Sequence, residues 1–346
     1  SFTCDLKTYV TISQDKIGFN KEQHKYIINY SKREEVSKVK DIQNEVVRTV
    51  LEYFNMPPVQ VTLTSDAYSQ GSGLASSSSY IISLIKSISI FNDLQMTDIE
   101  ICELAYKLEL EMNPYCGYQD PYGCGVGGFK RIEFYPKDRV TYDYLPSSFF
   151  DPYDIHLIFT GVTRNSKGVL KDISCNLDKV KDLLPIVDEA YDAIVNENHL
   201  QVFQLMNESW EQKKKTSSTI TENETIQEMD FELSSNKTVL SHKLCGAGNG
   251  GFFLTFSEKG QLNIPYHSVK IEVSSQLSKS EILTYVTQLY TSQSQGMFVI
   301  LRKGKRQAFQ GRITELSSKE ITIKTAEKYE LLQISEIIEM SLVEVL

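Results

Sequence analysis

The alternation of apolar and polar positions predicts a chain in which short strands and amphipathic helices are mixed. Period-two alternation predicts strands at 6–13, 25–30, 59–63, 129–135, 155–159 and 251–256. Apolar residues spaced three and four apart predict helices at 41–54, 79–92, 97–111, 177–197 and 199–215. The first two strands are expected to pair as a hairpin, because turn-prone residues separate them. The pattern restarts near residue 152, which indicates a second α+β domain.

The pattern of apolar and polar residues changes again from about Gln295. Five short strands are predicted there, at 297–301, 308–316, 320–325, 330–334 and 341–345. Polar turns between short strands are typical of a small closed barrel of the SH3-like or Sm-like type. From Met297 onward, eight Lys or Arg residues stand against seven Glu residues, so the basic run 303–306 is interpreted as a solvated turn rather than a nucleic-acid surface.

Composition narrows the class of protein. The 346 residues are 41% hydrophobic, enough to fill two or three cores, and the net charge is -9. A negative chain disfavours nucleic-acid backbones and anionic membranes as main partners. No apolar run approaches the roughly 20 residues of a membrane helix, and the first residues carry no secretion signal, so we expect a cytoplasmic protein. The six cysteines are scattered without a metal-binding spacing and are interpreted as reduced and structural.

A glycine and serine run at 71–79 leads directly into the helix predicted at 79–92. One interpretation is a flexible loop that caps the helix. The other is an anion cradle, because glycines let backbone N–H groups surround an oxyanion and a helix start adds unpaired donors. The run alone leaves both interpretations open.

Two acidic residues favour the cradle. Glu109 lies near the end of a predicted helix, and Asp120 lies eleven residues later in the glycine-rich segment 117–128, which is expected to be a loop. Either carboxylate alone is typical of a solvated surface. Together, beside a phosphate cradle, they are what magnesium-dependent phosphoryl transfer needs: one ligand for the metal and one group that accepts or orients the proton of the acceptor hydroxyl.

Three motifs in order resemble the GHMP family of small-molecule kinases. They are the glycine and serine run 71–77, the Glu109 to Asp120 spacing with the following 127–129, and the lysine and glycine segment 243–251. The resemblance covers residues 1–275. Two further segments, 159–164 with Ser166 and 207–215, are similar to segments of bacterial D-glycero-D-manno-heptose 7-phosphate kinases, which phosphorylate the anomeric hydroxyl of a sugar phosphate.

The resemblance implies an α+β fold in several parts. Residues 1–151 are expected to form an ATP-binding domain like the second domain of ribosomal protein S5, and 152–276 a ferredoxin-like domain. Residues 277–294 are expected to be a linker or helix, and 295–346 the small β-barrel, which lies outside the family. The barrel is expected to be a contact surface for a protein partner or for a second copy of the chain.

The resemblance also implies roles for individual residues. ATP phosphates would be bound by Gly71, Ser72, Gly73, Leu74, Ala75, Ser76 and Ser78. Magnesium would be held by Ser77 and Glu109, and Asp120 would be the catalytic base or orienting carboxylate. The sugar substrate would be bound by Arg164, Lys243, Gly246, Ala247 and Gly248. Arg164 is equally compatible with an ordinary surface position. The lysines at 213–215 are expected to form a solvated helix face, and Trp210 is expected to pack in the core.

The sequence departs from the family at its start. The first family motif, a Pro-x-Arg followed by a Gly-Gly-Gly-Thr-Asp-like turn, does not occur before the first predicted strand. Its loss would remove one wall of the sugar site. Two alternatives therefore stand beside the heptose phosphate kinase: a catalytically weak nucleotide- or sugar-binding protein that uses the barrel for interaction, and a kinase for another sugar such as fucose or a uronic acid.

Overall fold

The computed structural model of the chain describes residues 1–14, 25–67, 71–94, 96–136, 139–163, 166–274, 279–302 and 305–342. Within these ranges the strands form three larger sheets and one separate hairpin. The order of elements mixes strands and helices as predicted, so the α+β class is confirmed. None of the helices in the described ranges combines the length and apolarity that crossing a membrane requires. All six cysteines are free thiols.

The first sheet has four strands in the described part of the chain, with the order β1-β4-β2-β3. Its strands are β1 (Thr8–Ser13), β2 (Tyr26–Asn29), β3 (Arg33–Val36) and β4 (Gln60–Ser65). The predicted hairpin between the first two strands is wrong, because β4 lies between them, antiparallel to β1 and parallel to β2. The antiparallel neighbour of β2 along the chain is instead β3, a strand that the sequence pattern did not reveal.

Helices cover this sheet, and a hairpin of strands follows them. The helices are α1 (Glu45–Tyr53), α2 (Ser76–Phe91), α3 (Asp98–Met112) and α4 (Gln119–Gly125). The hairpin consists of β5 (Lys130–Tyr135) and β6 (Arg139–Tyr144). The capping box at the start of α3 is confirmed, since the Thr97 side chain accepts from the Glu100 backbone and the Glu100 side chain accepts from the Thr97 backbone. Apolar residues of β2, β4 and α1–α3 form the core of this half.

Helix α4 corrects one expectation. The glycine-rich segment 117–128 was expected to be a loop, but it contains a helix with Asp120 in its first turn. Glycine and proline disfavour a helix on their own, so this one is stabilised by packing: Pro121, Tyr122 and Gly125 are buried against the rest of the domain. Gly125 is a glycine for a steric reason, because a Cβ there would lie 2.2 Å from the Cys102 sulfur.

The second sheet also has four strands among the described residues, in the order β10-β7-β9-β8. Its strands are β7 (Tyr153–Phe159), β8 (Ser241–Leu244), β9 (Phe252–Glu258) and β10 (Ser268–Ile271). The helices around it are α5 (Ser166–Ser174), α6 (Leu177–Lys181), α7 (Leu183–Val195), α8 (His199–Thr216) and α9 (Glu224–Ser235). The helix predicted at 177–197 is thus two helices that meet at Asp182, and α5 and α9 were not predicted.

The last part of the chain contains a helix and a sheet of five strands, counted over its described residues. The elements are α10 (Lys279–Ser292), β11 (Gln295–Arg302), β12 (Lys305–Leu316), β13 (Glu320–Lys324), β14 (Tyr329–Gln333) and β15 (Ile337–Leu342). All neighbours in the order β14-β13-β12-β11-β15 are antiparallel. Four predicted strands are confirmed. The fifth begins earlier than predicted, directly after a turn of 3-10 helix at Ile334–Glu336.

Candidate functional site

The first loop of the site, residues 71–75, leads from the first sheet into α2 and is called the phosphate loop below. Gly71 and Gly73 have φ of 68° and 76°, and Ala75 has the left-handed values φ 55° and ψ 33°. Ser72 is 1% exposed, and its Oγ accepts from the Leu74 N–H at 3.3 Å and lies 3.1 Å from the Ser76 Oγ. The loop is therefore held in a compact conformation by its own side chain.

Helix α2 begins without a side-chain cap. The residue at its N-cap is Ala75, whose methyl group cannot accept a hydrogen bond from the first turn. A helix start of this kind presents N–H donors and the positive end of the helix dipole, a combination that binds anions. The simple capping interpretation of the glycine and serine run is therefore unfavourable, and the geometry suits a phosphate group.

The buried end of the site is a contact between α2 and α3. The Ser78 hydroxyl donates to Glu109 Oε2 at 2.5 Å, and the Ser77 hydroxyl also hydrogen-bonds to the Glu109 carboxylate. Glu109 is 9% exposed. Burial raises the pKa of Glu109, the serine bonds oppose that rise, and the charge of nearby Asp120 adds to it. Ser77 and Glu109, the two residues expected to hold magnesium, are thus in contact, and Ser78 joins them through its side chain.

Asp120 lies on the open side of the same site. Its side chain is exposed in the first turn of α4, where the helix dipole favours a carboxylate. The charges of Glu109 and Asp120 also reach two thiols: burial chiefly, and then these carboxylates, raise the pKa of Cys116 to about 11, while burial and Asp120 raise that of Cys124 to about 12. The structure therefore brings together the two carboxylates that the sequence singled out, one buried and one accessible.

The oxygen atoms of this group fit a magnesium ion. Carboxylate and hydroxyl oxygens are hard ligands of the kind that Mg²⁺ prefers, and Mg²⁺ in phosphoryl-transfer sites takes few protein ligands because phosphate and water supply the rest. Glu109 and Ser77 are the residues that would hold it. Within the described residues no cluster of three or more His, Cys, Asp or Glu residues forms a protein-only metal site. Phosphate and water would complete the coordination that Glu109 and Ser77 begin.

The loop of the third sequence motif, residues 245–251, is called the third loop below and closes against the phosphate loop. Gly246, Gly248, Gly250 and Gly251 have positive φ, and so does Asn249 at 57°. The Phe252 N–H donates to the Ser72 carbonyl at 3.2 Å. A Cβ on Gly251 would lie 2.1 Å from the Ser72 oxygen, and one on Gly73 would lie 2.6 Å from the Cys245 oxygen. The two loops thus meet backbone to backbone, which only glycine permits at these positions.

The third loop is also fixed from its other sides. The Gly251 N–H donates to the Val162 carbonyl at 2.9 Å, and the Gly251 carbonyl accepts from the Thr160 N–H and hydroxyl, each at 2.9 Å. The Asn249 N–H donates to the Ile220 carbonyl at 2.7 Å. Gly248 packs on Ile220, where a Cβ would come within 2.8 Å of the side chain. The loop is therefore a rigid wall of the site.

Helix α8 packs against the third loop and contacts its backbone. The Trp210 side chain is fully buried, as expected, and its indole N–H donates to Asp230 Oδ1 at 2.6 Å. The expectation that the lysines of this helix are a solvated face is wrong for two of them. Lys213 donates to the carbonyls of Leu244 and Gly246, and Lys214 donates to Asp230 Oδ2 at 2.8 Å.

The remaining expected substrate residues have different outcomes. Gly246, Ala247 and Gly248 belong to the third loop, and Ala247 is buried at 9% exposure. Lys243 lies in β8 one residue after His242, and burial lowers the pKa of its ammonium. Arg164 lies outside the described residues, so the structure does not place it.

One buried cation among the described residues was not predicted from the sequence. Lys130 is 0% exposed, and its Nζ donates to the carbonyls of Gly123 at 3.0 Å and Gly128 at 3.3 Å. Burial lowers its pKa to about 8. Gly123 lies in α4, so this amine binds a carbonyl near the C-terminal end of the helix that carries Asp120. The apolar pattern gave no signal for it, because a lysine in a strand is normally solvated.

A loop at a helix start, two carboxylates and a glycine-rich wall together suit the binding of a phosphate group and its magnesium ion. Residues 40–128 match the family described as GHMP kinases N terminal domain. The segment that holds the phosphate loop, Glu109 and Asp120 is therefore a GHMP kinase N-terminal domain. The expected family is confirmed over this segment.

Curated relatives include two sugar kinases. D-glycero-alpha-D-manno-heptose 7-phosphate kinase of Campylobacter jejuni is 29% identical over 228 residues, which are 62% of this chain and 67% of that protein. L-fucokinase/L-fucose-1-P guanylyltransferase of Bacteroides fragilis is 28% identical over 230 residues, 62% of this chain and 24% of that protein. The mevalonate kinase of Pyrococcus abyssi is 25% identical, over 59% of this chain and 60% of its own length. The chain therefore spans from a quarter to two thirds of these relatives.

Solved structures show the same fold. A D-glycero-D-manno-heptose 1-phosphate kinase from Bacteriodes thetaiotaomicron superposes with a TM-score of 0.59 at 19% identity, covering 79% of this chain and 86% of that one. The mevalonate kinase of Methanococcus jannaschii superposes with a TM-score of 0.61 at 17% identity, covering 79% and 90%. At these identities the likeness establishes the fold of the kinase part and leaves the substrate open.

Proposed function

We propose that the protein transfers the γ-phosphate of ATP, with magnesium, to the anomeric hydroxyl of a sugar phosphate, with D-glycero-D-manno-heptose 7-phosphate as the substrate. The observation that carries the proposal is the placement of Glu109 and Asp120. One carboxylate is buried and bonded to Ser78 at the start of α2, and the other is exposed within electrostatic reach of it. Two carboxylates so different in environment are suited to different tasks.

The residues divide the work as follows. N–H groups of the phosphate loop and of the first turn of α2 bind the phosphates of ATP. Ser77 and Glu109 would hold magnesium, which would neutralise charge on the transferred group. Asp120 accepts or orients the proton of the acceptor hydroxyl, because its exposed position leaves room for the acceptor beside it. The third loop excludes water from one side and fixes the phosphate loop through Ser72.

The choice of acceptor rests on sequence likeness. The Campylobacter jejuni relative named for heptose 7-phosphate is 29% identical over 228 residues. The segments 159–164 and 207–215 resemble the same branch of kinases, and Val162 of the first and Lys213 of the second each contact the third loop. These contacts support an acceptor site beside the third loop.

The experiment is a measurement of ADP release with Mg-ATP over a panel of acceptors. The panel contains heptose 7-phosphate, heptose without the phosphate, L-fucose, D-galactose and mevalonate. We expect turnover of the first compound and a product whose new phosphorus resonance couples to the anomeric proton. Turnover of the unphosphorylated sugars in preference to heptose 7-phosphate would contradict the proposed acceptor. ATP binding without turnover of any acceptor would contradict the proposed activity.

L-fucose is the second candidate acceptor. It is favoured by the 28% identity to the Bacteroides fragilis protein, whose name includes an L-fucokinase, over 62% of this chain. The same panel separates the two candidates, since fucose has no phosphate to be recognised. Preference for fucose would keep the chemistry at the anomeric hydroxyl and change only the acceptor.

A further inference from the structure

The lysine run of α8 contains one residue that contacts the third loop. Lys213 Nζ donates to the Leu244 carbonyl at 3.2 Å and to the Gly246 carbonyl at 2.5 Å. These two carbonyls belong to the residues on either side of Cys245. The Cys245 carbonyl is the atom against which Gly73 of the phosphate loop packs. Lys213 therefore holds the two peptide groups that flank a contact between the loops.

The lysine is itself held in place by the core. Trp210 lies one turn before it on α8, and Lys213 Nζ lies 5.7 Å from the centre of the indole ring. The indole N–H is bonded to the buried Asp230, which is also bonded to His242 of β8 at 2.7 Å. This network joins α8, α9 and β8 rigidly, so the ammonium is fixed relative to the strand that leads into the third loop.

The neighbouring lysines do different things. Lys214 forms ion pairs with Asp230 and Glu211, and the exposed Lys215 donates at 3.3 Å to the side chain of Gln212 on its own helix. A lysine can satisfy two carbonyl groups at once because its ammonium carries three donors. The residue at 213 is thus distinguished from its neighbours by its acceptors and not by its charge.

We propose that Lys213 is a positioning residue, which fixes the third loop in the conformation that meets the phosphate loop. The proposal rests on the proposed function for its kinetic consequence. Without the ammonium, the Leu244 and Gly246 carbonyls lose their charged donor, and the segment between β8 and β9 opens more often. Each opening also releases the contact of Cys245 with Gly73, so the phosphate loop loosens with it.

The test compares Lys213→Met, Lys213→Arg and the control Lys215→Met in the full chain by amide hydrogen exchange. Lys213→Met removes hydrogen bonds from a charged donor, so local opening becomes more frequent. We expect amide exchange to rise about tenfold at 245–251 and 71–75. The rest of the chain should exchange as before. Lys213→Arg keeps donors on a side chain of similar length and should raise exchange less. Lys215→Met should change nothing.

Three results would overturn the proposal. They are unchanged exchange in both loops of Lys213→Met, an equal rise in Lys213→Arg, and a rise spread evenly over α8, α9 and β8. Kinetics provides a second measurement: kcat/KM for ATP should fall about tenfold in Lys213→Met while the melting temperature stays close to that of Lys215→Met. If the unsubstituted chain phosphorylates no acceptor, the proposed function fails, and hydrogen exchange still decides the role of Lys213.

Discussion

The backbone N–H of Phe252 donates a hydrogen bond to the carbonyl oxygen of Ser72, 180 positions earlier in the sequence. This bond joins the start of β9 to the phosphate loop. It exists because Gly251, which precedes Phe252, has no side chain at the point where the Ser72 carbonyl approaches. The two halves of the kinase part therefore meet through backbone atoms at the site itself.

Gly251→Ala should separate the two loops. Its Cβ would lie 2.1 Å from a backbone oxygen that has no rotamer to change, so the bond between Phe252 and Ser72 must break. We expect kcat/KM for ATP to fall at least about tenfold, which corresponds to the loss of one such positioning contact. The measurement is ADP release with Mg-ATP and the acceptor.

The matched control for this substitution is Gly260→Ala. Gly260 also has a positive φ of 71°, but nothing lies near its missing Cβ. The control should lose only about 1–2 kcal/mol of stability from left-handed strain and keep its activity. Equal loss of activity in both variants would mean that backbone strain, and not the contact with Ser72, explains the effect.

Asp120→Asn should remove the group that handles the acceptor proton. An amide keeps the size of the side chain but cannot accept a proton at neutral pH. We expect kcat to fall about a hundredfold or more, with the dissociation constant for ATP nearly unchanged. Turnover equal to that of the unsubstituted chain would exclude Asp120 from the mechanism.

Asp230 should make the stability of the chain depend on pH in the acid range. Burial opposes its ionisation, but bonds from His242, Lys214 and Trp210 outweigh burial and lower its pKa to about 2 from 3.8. Because the folded pKa is the lower one, the stabilisation is complete above pH 4 and is lost as the pH falls toward 2. The shift corresponds to about 2 kcal/mol.

The measurement is urea unfolding at several pH values between 2 and 6. Asp230→Asn should lose this part of the pH dependence and at least about 2 kcal/mol at neutral pH, because an amide nitrogen would face the Lys214 ammonium. Asp178→Asn is the control, since Asp178 is 97% exposed and forms a surface ion pair with Lys181. A loss in the control as large as in Asp230→Asn would refute the role of burial.

Lys130 should make the stability of the chain depend on pH in the alkaline range. Its pKa is lowered by burial to about 8 from 10.5, so the unfolded chain binds the proton more tightly than the folded one. Stability attributable to this group should therefore rise as the pH increases from 8 to 10.5. Lys130→Met should flatten that rise, whereas the exposed Lys215→Met should not. The free energy of unfolding in urea at pH 7, 8, 9 and 10 measures the slope.

The sequence pattern predicted where the strands lie better than it predicted which strands pair. Strands β1 and β2 are both visible as alternation, but their pairing depends on β4, which comes more than 30 residues later and enters between them. No local pattern reports that insertion, because pairing is decided by which apolar faces bury together across the whole domain. The turn-prone residues between the two predicted strands were therefore misleading evidence for their pairing.

The candidate site was likewise predicted only in part from the sequence. The three motifs singled out residues that the fold brings together, because the third loop meets the phosphate loop through backbone atoms and Glu109 bonds to Ser78 of α2. Helix α4 was missed, since its glycines and Pro121 disfavour a helix locally. A signal for Lys213 and Lys214 was present: they lie three and four residues after the buried Trp210 and so share its face of α8.

The five-stranded sheet of the last part of the chain has a core of its own. Every buried residue of that core, from Ile282 of α10 to Ile337 of β15, comes from the segment after residue 278. Its strands pair only with one another among the described residues. Such a unit is portable: evolution can attach it to a kinase, remove it or exchange it without rebuilding either core, and its binding properties can change while the catalytic chemistry stays the same.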